Sequence, residues 1–275
     1  MNSLKINKAK AKLQEMCEQL DAMSKPFDPK KTMRRSLQNQ VDTTSKISTD
    51  KLDEIEDKLM QLFEEPEFEN YLDDFEEVCI RLIALYYKAE CYEDSFLIGM
   101  LFAVLHEDLE DEVENWIEAY EDLNPFGINR LHALDCIINS LLELDDDFTP
   151  SEDQMLTLHE ISDALTDQYP ESWRLEVDNL RRKLDLCKVI LNYEDDDDIK
   201  DLYLESCMDL VYKAHPASGI DRDSDTEEDA EKFHFINDIS KDKAVVCDYL
   251  RYATTIDNLT DDELEDINNW LKSFE

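Results

Sequence analysis

Glycine occurs three times in 275 residues, at Gly99, Gly127 and Gly219. Hairpins and β-bulges draw on glycine for positive φ, and so do loops that cradle phosphate. A chain this poor in glycine is steered towards helices joined by short polar turns. Apolar residues make up 42% of it, enough for a sizeable core, and its length suits one large domain or two ordinary ones.

Apolar residues recur at helical spacing along most of the chain. Ile6, Ala9, Leu13, Met16, Leu20 and Met23 are spaced 3-4-3-4-3, a heptad seam on a helix of about 20 residues. The seam suits either docking on the chain's own body or a self-association or partner-binding helix. Pro26, Pro29 and the polar stretch to Lys46 read as a linker. Leu52, Ile55, Leu59 and Leu62 form the next stripe, and Phe68, Tyr71, Phe75, Val78, Leu82 and Leu85 the one after. Residues 96–105 are apolar on every side, which predicts a central buried helix. Leu109, Val113, Trp116 and Tyr120 form a stripe that Asn124-Pro125-Phe126-Gly127 ends. Thr149-Pro150-Ser151-Glu152 predicts a helix start with Thr149 as cap, and Thr260 to Glu263 is a second capping box. Residues 215–231 have almost no apolar content and are expected to form a mobile acidic loop.

The expected fold is all-α, an irregular bundle of about ten mostly antiparallel helices. Residues 82–104 have a repeat-like helical-hairpin character, with small residues Ser95, Gly99 and Ala103 where helices pack closely. The expected division is a basic N-terminal helix plus linker over 1–46 and an acidic helical body over 47–275.

The formal charge is −41. Residues 1–46 carry ten Lys/Arg against five Asp/Glu, so the remaining 229 residues hold a net −46. Direct binding to nucleic acid or an anionic membrane needs cations to displace counterions and is not expected. The expected partner is a basic protein: a nucleic-acid-binding protein or another basic client. The longest apolar run, residues 96–105, is too short to cross a bilayer. Seven cysteines stand far apart without a CxxC, a pattern of buried free thiols in a reducing cytoplasm.

Carboxylate motifs arise by chance in such a chain, so each needs an independent feature beside it. Asp197-Asp198-Ile199-Lys200-Asp201 matches the DDxxD pattern that holds magnesium diphosphate, without a second metal motif. Asp221, Asp223 and Asp225 imitate a calcium loop, but Thr226 replaces its turn glycine and Lys232 its bidentate glutamate. Ser224 and Thr226 fit acidophilic phosphorylation. Glu231 to His234 is a lone ExxH, and a helical di-iron site needs two. ExxE pairs such as Glu107/Glu110 and Glu118/Glu121 leave a magnesium-dependent all-α hydrolase as a minor alternative. No catalytic residue, metal ligand or cofactor is assigned.

The densest negative charge lies between residues 107 and 122. Nine of those sixteen positions are carboxylates: Glu107, Asp108, Glu110, Asp111, Glu112, Glu114, Glu118, Glu121 and Asp122. With the apolar stripe turned inward, they fall largely on the outer face, where residues three or four apart are separated by about 5–6 Å. No Lys or Arg offsets them between His106 and Asn129.

The expected function is a non-enzymatic interaction protein that binds a basic partner through these nine residues. Its sharpest form is a DNA-mimic inhibitor of a nucleic-acid-binding protein, of the phage anti-defence type. The 41 net charges match about 70 Å of duplex. Spread over the roughly 12,000 Å² that a compact chain of this mass exposes, they are about threefold too dilute to pass for DNA. Mimicry would need the excess gathered on about a third of that surface. The alternative is a helical scaffold, adaptor or homo-oligomer working through Ile6, Leu13, Met16, Leu20 and Met23.

Overall fold

A computed structural model describes residues 2–24, 47–106, 108–144, 147–166, 168, 170, 173–214, 243–257 and 259–274. The expected linker and acidic loop lie outside these, as do the calcium-loop imitation, Ser224, Thr226 and the ExxH pair. The fold is all-α, and the described residues form eleven α-helices and one 3-10 turn. The chain divides into two compact units, Met1–Ile161 and Ser162–Glu275.

The first unit contains α1 (Asn2–Met23), α2 (Thr49–Phe63), a 3-10 turn (Phe68–Tyr71), α3 (Leu72–Lys88), α4 (Tyr92–Val104), α5 (Leu109–Glu121), α6 (Pro125–Glu143) and most of α7 (Glu152–Thr166). Helix α3 is the hub. It packs against α1, α2, α4 and α6, while α4 and α5 also pack on α6. Phe75, Val78, Cys79, Leu82, Ile83 and Tyr86 are buried along it. Each large apolar side chain buried this way stabilises the fold by about 1.5–3 kcal/mol.

The heptad seam of α1 turns inward. Ala9, Leu13, Met16 and Leu20 are buried, and Ile6 and Met23 are half-buried. Helix α1 lies on α2 and α3, with Lys10 Nζ 3.0 Å from Asp74 and Arg81 Nε 2.8 Å from Asp21. The N-terminal helix is thus part of the first unit's core.

Three local expectations are corrected. The stripe from Phe68 to Leu85 begins as a 3-10 turn, where the Phe68 ring stacks edge-on against Phe63 and Phe75, each at 4.9 Å. Helix α4 buries Phe96, Ile98, Met100 and Phe102, but Leu97 and Val104 reach solvent. The start of α7 is capped by Ser151, not Thr149: Gln154 N donates to Ser151 Oγ at 3.3 Å, and Ser151 N donates to Gln154 Oε1 at 2.8 Å. A glutamine completes the box in place of Glu152.

Two helix ends show how the chain turns with so little glycine. After α3, Glu90 takes φ 63°, Glu90 N donates to Tyr87 O, and Cys91 N donates to Tyr86 O, both at 3.0 Å. After α5, Leu123 takes φ 57°, Leu123 N donates to Tyr120 O at 2.9 Å, and Asn124 N donates to Ala119 O at 2.8 Å. This paired closure usually places glycine at the left-handed position, and any other residue there costs on the order of 1–2 kcal/mol. The glycines serve close packing. A Cβ on Gly127 would lie 2.6 Å from Tyr120 N and closer still to Trp116 O, so α6 starts in backbone contact with α5. Gly99 of α4 faces Ile137 of α6, and Ser95 Oγ donates to Ile83 O at 3.0 Å. Of the small residues singled out in the sequence, Ser95 and Gly99 are therefore where helices approach.

The second unit holds the end of α7, then α8 (Trp173–Tyr193), α9 (Asp197–Ala214), α10 (Lys243–Ala253) and α11 (Asp261–Phe274). Helix α9 packs on α8 and α10, and α10 on α11. Tyr203 OH donates to Tyr249 O at 2.9 Å, and Tyr249 OH donates to Asp185 Oδ1 at 2.8 Å, tying α8, α9 and α10 together. The Thr260–Glu263 capping box forms as expected. All seven cysteines are free, and five are buried. Burial pushes the Cys187 and Cys207 thiols up to about 12. Among the described residues no helix is long and apolar enough to cross a membrane.

Candidate interaction surface

Helix α5 is oriented by what it buries. Val113, Trp116 and Ile117 point inward, and Leu109 and Tyr120 are half-buried at the margins. Ile117 is the core contact that the 4-3-4 stripe missed, since it lies one residue beside Trp116. The Trp116 ring meets Phe102 of α4 at 5.5 Å and His106 at 5.3 Å, which fixes the rotation of the helix about its axis.

That rotation decides where the carboxylates go. Asp108, Glu110, Asp111, Glu114, Glu118 and Asp122 are exposed, while Glu112 and Glu121 are half-buried. Glu107 lies outside the described residues. Asp108 has a structural task as well. Its Oδ1 accepts from Asp111 N at 3.3 Å, capping the helix N-terminus, where negative charge opposes the positive end of the backbone dipole.

The first cation after this stretch, Arg130, turns away from it. Its Nε donates to Glu76 Oε1 at 2.8 Å and its Nη1 to Glu77 Oε1 at 3.3 Å, and its guanidinium lies 3.6 Å over the Phe126 ring. His106 Nε2 is 3.6 Å from the same Glu76 oxygen, and burial lowers the pKa of His106. This α3–α6 ionic core was missed in the sequence, because Arg130 and Glu76 lie 54 positions apart with no periodicity linking them. A second missed group lies between α2 and α3. Tyr86 OH sits 2.6 Å from Glu56 Oε2 and 3.0 Å from Asp53 Oδ1. Burial raises the pKa of Glu56, and Asp94, Asp53 and Asp57 add to it.

The DDxxD stretch opens α9. Asp196 Oδ1 caps the helix by accepting from Asp198 N at 2.9 Å and Ile199 N at 3.1 Å. Lys200 Nζ contacts Asp197 at 3.0 Å and also pairs with Asp195. The local aspartates thus serve helix initiation. Beyond them Asp201, Glu205 and Asp209 are exposed at four-residue spacing, which sets neighbours about 6 Å apart along the axis. Between α9 and α11 lies a cleft of about 420 Å³, lined by Leu204, Met208 and Ile267 and by Glu205, Asp209, Glu263 and Asp266.

No family model, curated protein or solved structure matches this chain.

Proposed function

We propose that this chain is a non-enzymatic interaction protein that holds a basic partner through carboxylate-bearing helix faces. One observation carries the reading: six carboxylates from Asp108 to Asp122 are exposed on and around α5, while Arg130 is directed inward to Glu76 and Glu77. Like charges a helical turn apart cost about 0.2–0.5 kcal/mol per pair. Lys or Arg side chains brought by a partner would relieve that repulsion, so association gains what folding forfeits. Exposed carboxylates on α9 and α11 extend the same property to the second unit. The sharpest form of the reading, a DNA mimic, makes one further demand: the partner must bind nucleic acid, and duplex must compete with this chain for it.

The test is capture of partners from lysate as salt is raised from about 50 to about 500 mM, which shortens the screening length from about 14 to about 4 Å. Capture that fades with salt, and that weakens in a Glu110→Gln, Asp111→Asn, Glu114→Gln, Glu118→Gln variant, supports the reading. Capture unmoved by both would end it.

A further inference from the structure

The cleft in the second unit has a shape and chemistry that the α5 face lacks. Its floor is apolar: Leu204 and Met208 one turn apart on α9, and Ile267 on α11. Its two walls are anionic, with Glu205 and Asp209 along α9, and Glu263 and Asp266 along α11. Asp201 continues the α9 wall by one further turn, and among the described residues no ion pair is formed by Asp201, Glu205, Asp209 or Asp266. Glu263 stays ionised because the Thr260 hydroxyl and backbone N–H of its capping box hold its pKa down.

Helix α11 is also unusually bare. Only Ile267 and Phe274 are buried along it, Leu264 is exposed, and Trp270 and Leu271 are half-covered. An apolar floor with negative charge on both flanking helices fits one kind of occupant: a helix with an apolar stripe flanked on both sides by Lys or Arg. From Asp201 to Asp209 the wall runs about 12 Å. A bound helix of about three turns covers it.

We propose that the α9–α11 cleft is the docking site for a cationic amphipathic helix of the partner. The proposal rests on the basic-partner reading and adds to it where the partner binds and what shape its binding segment has. The apolar floor supplies selectivity between a patterned helix and a merely basic chain, because scattered charge cannot fill it.

The test titrates the full chain with two fluorescent peptides of identical composition, about 14 residues of Leu and Lys. In one, Leu recurs at helical spacing; in the other the order is scrambled. Methionine methyl NMR on the full chain reports Met208 directly. The expected result is saturable binding of the patterned peptide, at least tenfold tighter than the scrambled one, with a shift of the Met208 methyl. An Asp201→Asn, Glu205→Gln, Asp209→Asn variant, folded by circular dichroism, weakens it at least tenfold, and a variant of equal charge change at exposed positions outside both surfaces, Glu15→Gln, Glu18→Gln, Glu54→Gln, does not. If both peptides bind alike and the α9 variant changes nothing, the cleft is overturned while the basic-partner reading stands. If neither peptide binds at about 50 mM salt, where charge attraction is strong, both fall.

Discussion

Arg130 Nε donates to Glu76 Oε1 at 2.8 Å, and both side chains are buried, at 3% and 7% exposure. The pair joins α3 to α6 at the centre of the first unit. Arg130→Met strands a buried carboxylate, and breaking such pairs costs about 3–5 kcal/mol. Urea unfolding is expected to show a loss of that order. The double change Arg130→Met, Glu76→Leu should recover most of it, since an apolar pair leaves no charge uncompensated.

Much of this architecture was legible in the sequence and some was not, for a physical reason. Leu13, Met16 and Leu20, or Val113 and Trp116, repeat with the helix, so periodicity alone turned them inward. It also placed Asp111, Glu114 and Glu118 outside. Periodicity could not say which surface the α1 seam meets, because a seam against α3 and one against a second molecule look alike in sequence. Nor could it find Arg130 with Glu76, Tyr86 with Glu56, or the facing cleft walls that carry Glu205 and Asp266. Each joins residues on different helices, and only the tertiary fold brings them together.

Gly127 tests the close crossing of α5 and α6. Its added Cβ would meet the backbone of Trp116 and Tyr120, which cannot swing aside. Gly127→Ala is expected to destabilise the first unit by about 1–3 kcal/mol, the usual range for overpacking. Gly99→Ala should cost less, because the atoms it would meet belong to the Ile137 side chain, which can repack, rather than to backbone. Thermal unfolding of the two variants gives the order.

Leu123 offers the reverse effect. It is 56% exposed and holds φ 57°. Leu123→Gly removes the left-handed strain and forfeits little packing. Against glycine's greater freedom in the unfolded chain, the net gain should be about 0.5–1 kcal/mol. Glu90→Gly, at φ 63° after α3, should move the same way. Denaturant midpoints above the parent's are the expected readout.

Two half-buried groups set opposite pH trends. Burial raises Glu56 above its ordinary 4.5, so its contribution is fully present below that value and is lost as pH rises through the folded pKa. Glu56→Gln should therefore stabilise at pH 7, with the advantage shrinking towards pH 4.5. Burial lowers His106 below its ordinary 6.5. The fold resists its protonation, and its contribution declines as pH drops below 6.5 towards the folded pKa. His106→Phe, set against Phe102 and Trp116, should flatten that decline. Urea midpoints taken between pH 4.5 and 7.5 separate the two.

Engagement of a cationic counterpart by anionic helix faces is the proposed mode of action. It is tested most directly by measuring the dissociation constant for a captured partner across a salt series, for the parent chain and for the variant neutralised at Glu110, Asp111, Glu114 and Glu118. Affinity is expected to fall steeply with ionic strength in the parent, with a shallower slope and weaker low-salt binding in the variant. Identical, salt-independent affinities for the two proteins would contradict it.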